Sequence, residues 1–92
     1  MMTKTKTTSY RIVVFDVTNP TKGAQEVDVD EPPWQDLRAC QIFAEHLVAR
    51  ARAHKRQWRV SVHHIGDRGQ VTHSQTLRPG GTWGQPIPVR SR

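Results

Sequence analysis

An α+β fold of order β-β-α-β-β is expected from three features of this chain. Two pairs of short stretches, Tyr10–Val17 with Gln25–Asp30 and Trp58–Ile65 with Gln70–Leu77, are rich in β-branched residues, and most of them alternate with period two. Between the pairs, Pro33–His54 repeats its apolar residues at helical spacing. Turn residues separate these stretches: Asn19-Pro20-Thr21-Lys22-Gly23, Pro32-Pro33 and Gly66-Asp67-Arg68-Gly69. The expected architecture is one amphipathic helix on a small four-stranded antiparallel sheet.

In Tyr10–Val17, Ile12 and Val14 point one way and Val13, Phe15 and Val17 the other. A strand apolar on both sides belongs in the middle of a sheet. Gln25–Asp30 sets Val27 and Val29 against Glu26, Asp28 and Asp30, so one of its faces meets water, and the two strands form a hairpin. Pro33 is suited to open the helix, because its missing N–H has no partner to lose there. Asp30, Glu31 and Asp36 lie around the positive end of the helix dipole. Leu37, Cys40, Ala44, Leu47, Val48 and Ala51 form the apolar stripe, with Phe43 at its edge and Arg38, Gln41, Glu45 and Arg52 opposite.

For the second hairpin, a two-residue loop at Asp67-Arg68 pairs Trp58 with Leu77, Val60 with Gln75, Val62 with His73 and His64 with Val71. This register sorts the apolar residues best and is preferred. A G1-bulge loop with Gly69 in the left-handed region sets His63 opposite His73 instead. The reading divides the chain into a flexible arm over 1–9, a single domain over 10–78 and a Gly/Pro-rich basic tail over 79–92.

Leu, Ile, Val and Phe number 19 of 92 residues, and 17 of them fall within 10–78, so the domain has a thin core. One cysteine, Cys40, makes no internal disulfide and suits a reducing compartment. Met1–Ser9 has no apolar signal-peptide core, and no apolar run approaches a membrane span. A soluble, cytoplasmic protein without membrane contact is expected.

Charge is divided unevenly. Residues 37–92 carry ten of the fourteen Lys and Arg but only two of the eight Asp and Glu. Such a field steers an anionic partner. Arg50, Arg52, Lys55, Arg56 and Arg59 fall within ten residues with no acid among them. Cations at a helix C-terminus complement the dipole, at roughly 0.3–1 kcal/mol each, but this many exceeds that need. Clustered Lys and Arg are the footprint of phosphate binding, and the Ser/Thr/Arg/His face of the second hairpin extends the patch. The candidate anion-binding residues are therefore Arg50, Arg52, Lys55, Arg56, Arg59, His63, Arg68 and Arg78. Trp83, Arg90 and Arg92 form a candidate docking tail. The aromatics otherwise read as core, which weakens a single-strand reading.

Five histidines and Cys40 lack the spacing of a metal site, so no metal or other cofactor is expected. Arg11–Asp16 resembles the aspartate-ending first strand of a small CRISPR-associated nuclease over six residues of a common strand pattern. In that nuclease a helix follows; here a turn and a second strand do, and no residue role is carried across. The expectation is a non-enzymatic binding protein whose first partner is nucleic acid, DNA or RNA, and which forms a homodimer. The alternative is a protein–protein module, an inhibitor or assembly factor of phage or mobile-element type, that masks an acidic protein surface. A metal-dependent nuclease ranks third.

Overall fold

The computed structural model describes residues 8–89. The chain forms β1 (Ser9–Asp16), β2 (Gln25–Val27), α1 (Leu37–Ala53), β3 (Trp58–Ile65), β4 (Val71–Thr76) and β5 (Ile87–Pro88). The strands make one antiparallel sheet in the order β2-β1-β3-β4-β5. The class is α+β as expected, but the sheet has five strands rather than four: β5 forms in the tail, which the sequence reading gave no strand. No helix among the described residues is long and apolar enough to cross a membrane.

β1 and β3 pair along their whole length, from Ser9 with Ile65 to Asp16 with Trp58. That register puts Ile12 beside Val62 and Val14 beside Val60. These four are buried against Cys40 and Ala44 of α1. Val27 and Val29 pack against the same cluster, although β2 ends at Val27. The apolar stripe of α1 is the expected one: Cys40, Ala44 and Ala51 are buried, while Leu37, Phe43, Leu47 and Val48 are partly so. Burial pushes the Cys40 thiol up to about 12, helped by the nearby Glu31 carboxylate, so it stays a neutral core group.

The helix starts four residues later than Pro33. Trp34 is extended, exchanging backbone hydrogen bonds with Tyr10 at 2.8 and 2.9 Å, and its ring packs on Phe43 at 5.3 Å. Asp36 is the N-cap, its carboxylate accepting the Arg38 N–H at 3.0 Å. At the other end His54 is the C-cap and Lys55 turns left-handed, with φ 62°. Arg56 N–H donates to Ala51 O at 2.8 Å and Lys55 N–H to Arg52 O at 2.9 Å. This is a Schellman motif, with lysine where glycine is the usual choice.

The preferred register of the second hairpin does not form. Gly69 has φ 80°, and its N–H donates to Gly66 O at 3.0 Å, while Gly66 N–H donates to Gln70 O. That is the G1-bulge loop, and it pairs Ile65 with Val71. A second irregularity follows at once: His64 pairs with His73, leaving Thr72 extra. Two bulges move the register by two residues in all, so Val62 faces Gln75 and His63 faces Ser74. An even shift restores the sorting of the two faces, except that Val71 changes sides to lie beside Ile65.

The described part of the tail folds back onto the domain rather than forming a free arm. Trp83 bridges Leu77, packs on the core cluster and donates its indole N–H to Glu45 at 2.8 Å. Gly84 N–H donates to Thr76 O, and its carbonyl accepts from buried Gln75 Nε2, both at 3.0 Å. Ile87 and Pro88 then pair with Ser74 and His73. Gln41 and Glu45, expected to face water, instead meet Gln75 and Trp83.

Candidate functional site

Antiparallel pairing gathers the scattered cations at one end of the sheet. The C-terminus of α1, the start of β3 and the end of β1 lie there, as Val17 N–H donating to Gln57 O at 2.8 Å shows. Arg50, Arg52, Lys55 and Arg59 are all exposed. β4 returns to the same end, since Leu77 N–H donates to Val60 O, and brings exposed Arg78 with it. The turn between β1 and β2 adds Lys22, which shares a hollow of about 260 Å³ with Arg56, Asp16 and Thr18. Sequence reasoning passed over Lys22 because it belongs to the acidic half of the chain; the pairing of β1 with β3 is the signal that places it.

Arg56 leaves the free set. Its guanidinium pairs with Asp16, which also accepts from the Thr18 backbone N–H at 2.9 Å and hydroxyl at 2.5 Å. The Thr18 hydroxyl and N–H, then Arg56, hold the Asp16 carboxyl well below the usual carboxylate range. Thr18 Oγ1 in turn accepts the Gln57 N–H, so this group of contacts ties β1 to the start of β3. The other ion pair among the described residues is Arg38 with Glu45 at 3.2 Å. Arg50, Arg52, Lys55, Arg59, Arg78 and Lys22 have no carboxylate partner among the described residues.

Two candidates lie apart from this end. Arg68 sits in the β3–β4 turn, about 20 Å from Arg59 at the rise of an extended strand. It is accompanied there by Asp67. His63 lies two-thirds of the way along β3 on the face away from α1. Burial, and then the charge of neighbouring His64, hold it below its ordinary value. Asp30, Glu31 and Asp36 occupy the stretch around Trp34, which pairs with the start of β1. Asp30, Glu31 and Asp36 thus lie toward the opposite end of the sheet from Arg50, Arg52, Lys55 and Arg59, while Asp16 and Glu26 stand at the basic end and Arg11 and Arg68 at the other. Trp83, a candidate for docking, has its indole N–H committed to Glu45; Arg90 and Arg92 lie outside the described residues.

α1 covers one sheet face only. The uncovered face carries Arg11, Val13 and Phe15 from β1, Arg59, Ser61, His63 and Ile65 from β3, and Ser74 and Thr76 from β4. None of its apolar residues belongs to the core cluster. Among the described residues no three His, Cys, Asp or Glu side chains are grouped to hold a metal ion. The chain matches no known protein family, no curated protein and no solved structure.

Proposed function

We propose that this is a non-enzymatic nucleic-acid-binding protein that docks its basic end on a phosphate backbone. The observation that carries the reading is the set of exposed, unpaired cations, Lys22, Arg50, Arg52, Lys55, Arg59 and Arg78, collected from four separate parts of the chain. Dipole complementation accounts for Arg50 and Arg52 in the last helical turn, but not for Lys22, Arg59 or Arg78. Lys55 adds a second support. A lysine held at a left-handed position costs backbone energy that glycine avoids, and such positions concentrate at working sites.

Phosphate contacts release counterions, so affinity falls linearly in log salt with a slope of about −0.9 per contact on duplex DNA. Replacing Arg50, Arg52 and Lys55 with Gln together should leave folding nearly intact and flatten that slope by two to three contacts' worth. Arg56 is excluded from the variant because it holds Asp16. The measurement is fluorescence anisotropy of a labelled duplex over a salt series. An unchanged slope would move the interface elsewhere. A pull-down from native lysate with and without nuclease separates the alternative: a partner that survives nuclease treatment at constant stoichiometry points to an acidic protein surface. The symmetric dimer is a separate proposal, tested by light scattering: a clean mass near the 10.5 kDa of one chain counts against it.

A further inference from the structure

We infer that the Phe15 end of the sheet face left uncovered by α1 binds single-stranded nucleic acid, with Phe15 as the base-stacking platform. The inference rests on the proposed nucleic-acid reading and names the form of the ligand. Phe15 lies near the end of central strand β1, half-buried yet outside the core cluster. A ring on this strand reads as core in the sequence because both sides of β1 are apolar. The structure gives the other side, Ile12 and Val14, to the helix and leaves Phe15 facing outward.

Its surroundings fit a strand of nucleotides. Phe15 is directly opposite Arg59, which belongs to the basic end, so the face and the phosphate-binding end are continuous. One pair further on, Val13 sits beside Ser61, whose hydroxyl lies 3.3 Å from that of Thr76. Beyond that, His63 stands between Arg11 and Ser74. Ring, guanidinium and hydroxyl groups are the partners that unpaired bases, phosphates and sugars use. Glu26 of β2 stands opposite Phe15, and away from Phe15 it lines a hollow with Asp28, Glu31, Arg11 and His63, so the phosphate path is the Arg59 side that joins the basic end.

The other occupant of a bare sheet face is a second copy of the chain. The Phe15 end is the half of the face that runs on into the exposed cations Arg50, Arg52, Lys55 and Arg59. A polyanion can engage these together with the ring, whereas a second copy would have to bring them against its own.

The test uses the full chain and short labelled oligo-U, oligo-dT and duplex DNA, read by anisotropy. The expected result is tighter binding to the single strands than to the duplex. Phe15→Leu keeps apolar volume but removes the ring and should weaken single-strand binding about tenfold, with little effect on duplex. Phe15→Tyr should restore it. Circular dichroism checks that the variants fold, and ultraviolet crosslinking of oligo-U to β1 or β3 peptides of the wild type gives a readout independent of any variant. The Arg50, Arg52 and Lys55 triple variant should weaken both ligands alike. Equal binding of both forms, with Phe15→Leu unchanged or crosslinks confined to α1, overturns this inference and leaves the basic end standing. A dimer dissociated by Phe15→Leu overturns it in favour of the second copy. Failure to bind any of the probes overturns both readings.

Discussion

The two faces of the sheet are built from the same strands and differ in almost every respect. Toward α1, β1 and β3 present Ile12, Val14, Val60 and Val62, all buried, and the buried polar side chain there, Gln75, is shared among His64, Gln41 and the Gly84 carbonyl. Away from α1, the same strands present Val13 and Phe15 among Arg11, Arg59, Ser61 and His63. Period-two geometry delivers both sets at once. What differs is cover. One helix of seventeen residues spans one face, and the returning tail extends that cover over β4 instead of closing the other side. A small chain with one helix thereby covers one face of its sheet and leaves the other open.

The strongest way to break this comparison is to remove the tail after Arg78. If the tail belongs to the covered half, its loss strips Trp83 from the core, leaves the Gln75 amide without the Gly84 carbonyl and opens the β4 edge. The expected cost is on the order of 3–5 kcal/mol, as for loss of a large aromatic. That is much of the stability of a domain this small. Urea unfolding of the truncated chain checks it, and an unchanged midpoint would return the tail to the role of a free docking arm.

A paired substitution sharpens the comparison between faces. Val62→Ala removes two methyl groups from a fully buried site and should cost about 2–3 kcal/mol. Val13→Ala, on the same sheet but the open side, should cost under about 1 kcal/mol. Equal costs would mean that something covers the open face in solution, which light scattering would then identify as a second copy or not.

These expectations mark what the sequence made legible. The alternations at Ile12/Val14 and Val60/Val62 and the stripe from Leu37 to Ala51 carry the core, because burial acts on residues already in register. The helix start was misplaced because Pro33 suits an N1 position, whereas Trp34 finds a long-range partner in Tyr10 that no local pattern announces. The hairpin register was missed for a related reason. Either bulge alone scrambles the faces, and only the pair at Gly69 and Thr72 restores them, so a one-bulge alternative looked worse than none. β5 was invisible because two residues, one of them proline, make a strand only when an edge is waiting. In the candidate site, Arg50, Arg52, Lys55 and Arg59 were legible as a run. Lys22 and Phe15 became visible only through pairing, and Arg56 and Trp83 were lost to partners about forty residues away in sequence.

The join between the basic end and the sheet predicts an acid limb. Asp16 is held ionised by Thr18 and Arg56, so its carboxyl sits below its ordinary value of 3.8 in the folded chain. A depressed carboxyl contributes stability above its unfolded value and loses it as pH falls toward the folded one. Thermal midpoints should therefore drop below about pH 4, and Asp16→Asn should lower the neutral midpoint while flattening that acid limb. A parallel decline of both proteins with acid would assign the limb to other carboxylates.

The smallest expected effect separates binding from folding within a single residue. Lys55 occupies the left-handed position of the helix cap at φ 62°. Glycine takes that conformation without the Cβ clash, worth about 1 kcal/mol, though it also adds freedom to the unfolded chain that offsets about 0.4–1 kcal/mol. Lys55→Gly should thus change stability by a few tenths of a kcal/mol at most, in the stabilising direction. The same substitution removes one exposed cation, so affinity for nucleic acid should fall and the salt slope should lessen by about one contact. Stability and binding then move in opposite directions. If both fall together, the cap geometry is wrong. If stability rises and binding is untouched, lysine stands at this position for no reason connected with a phosphate, and the basic end contracts to Arg50, Arg52, Arg59 and their neighbours across the sheet.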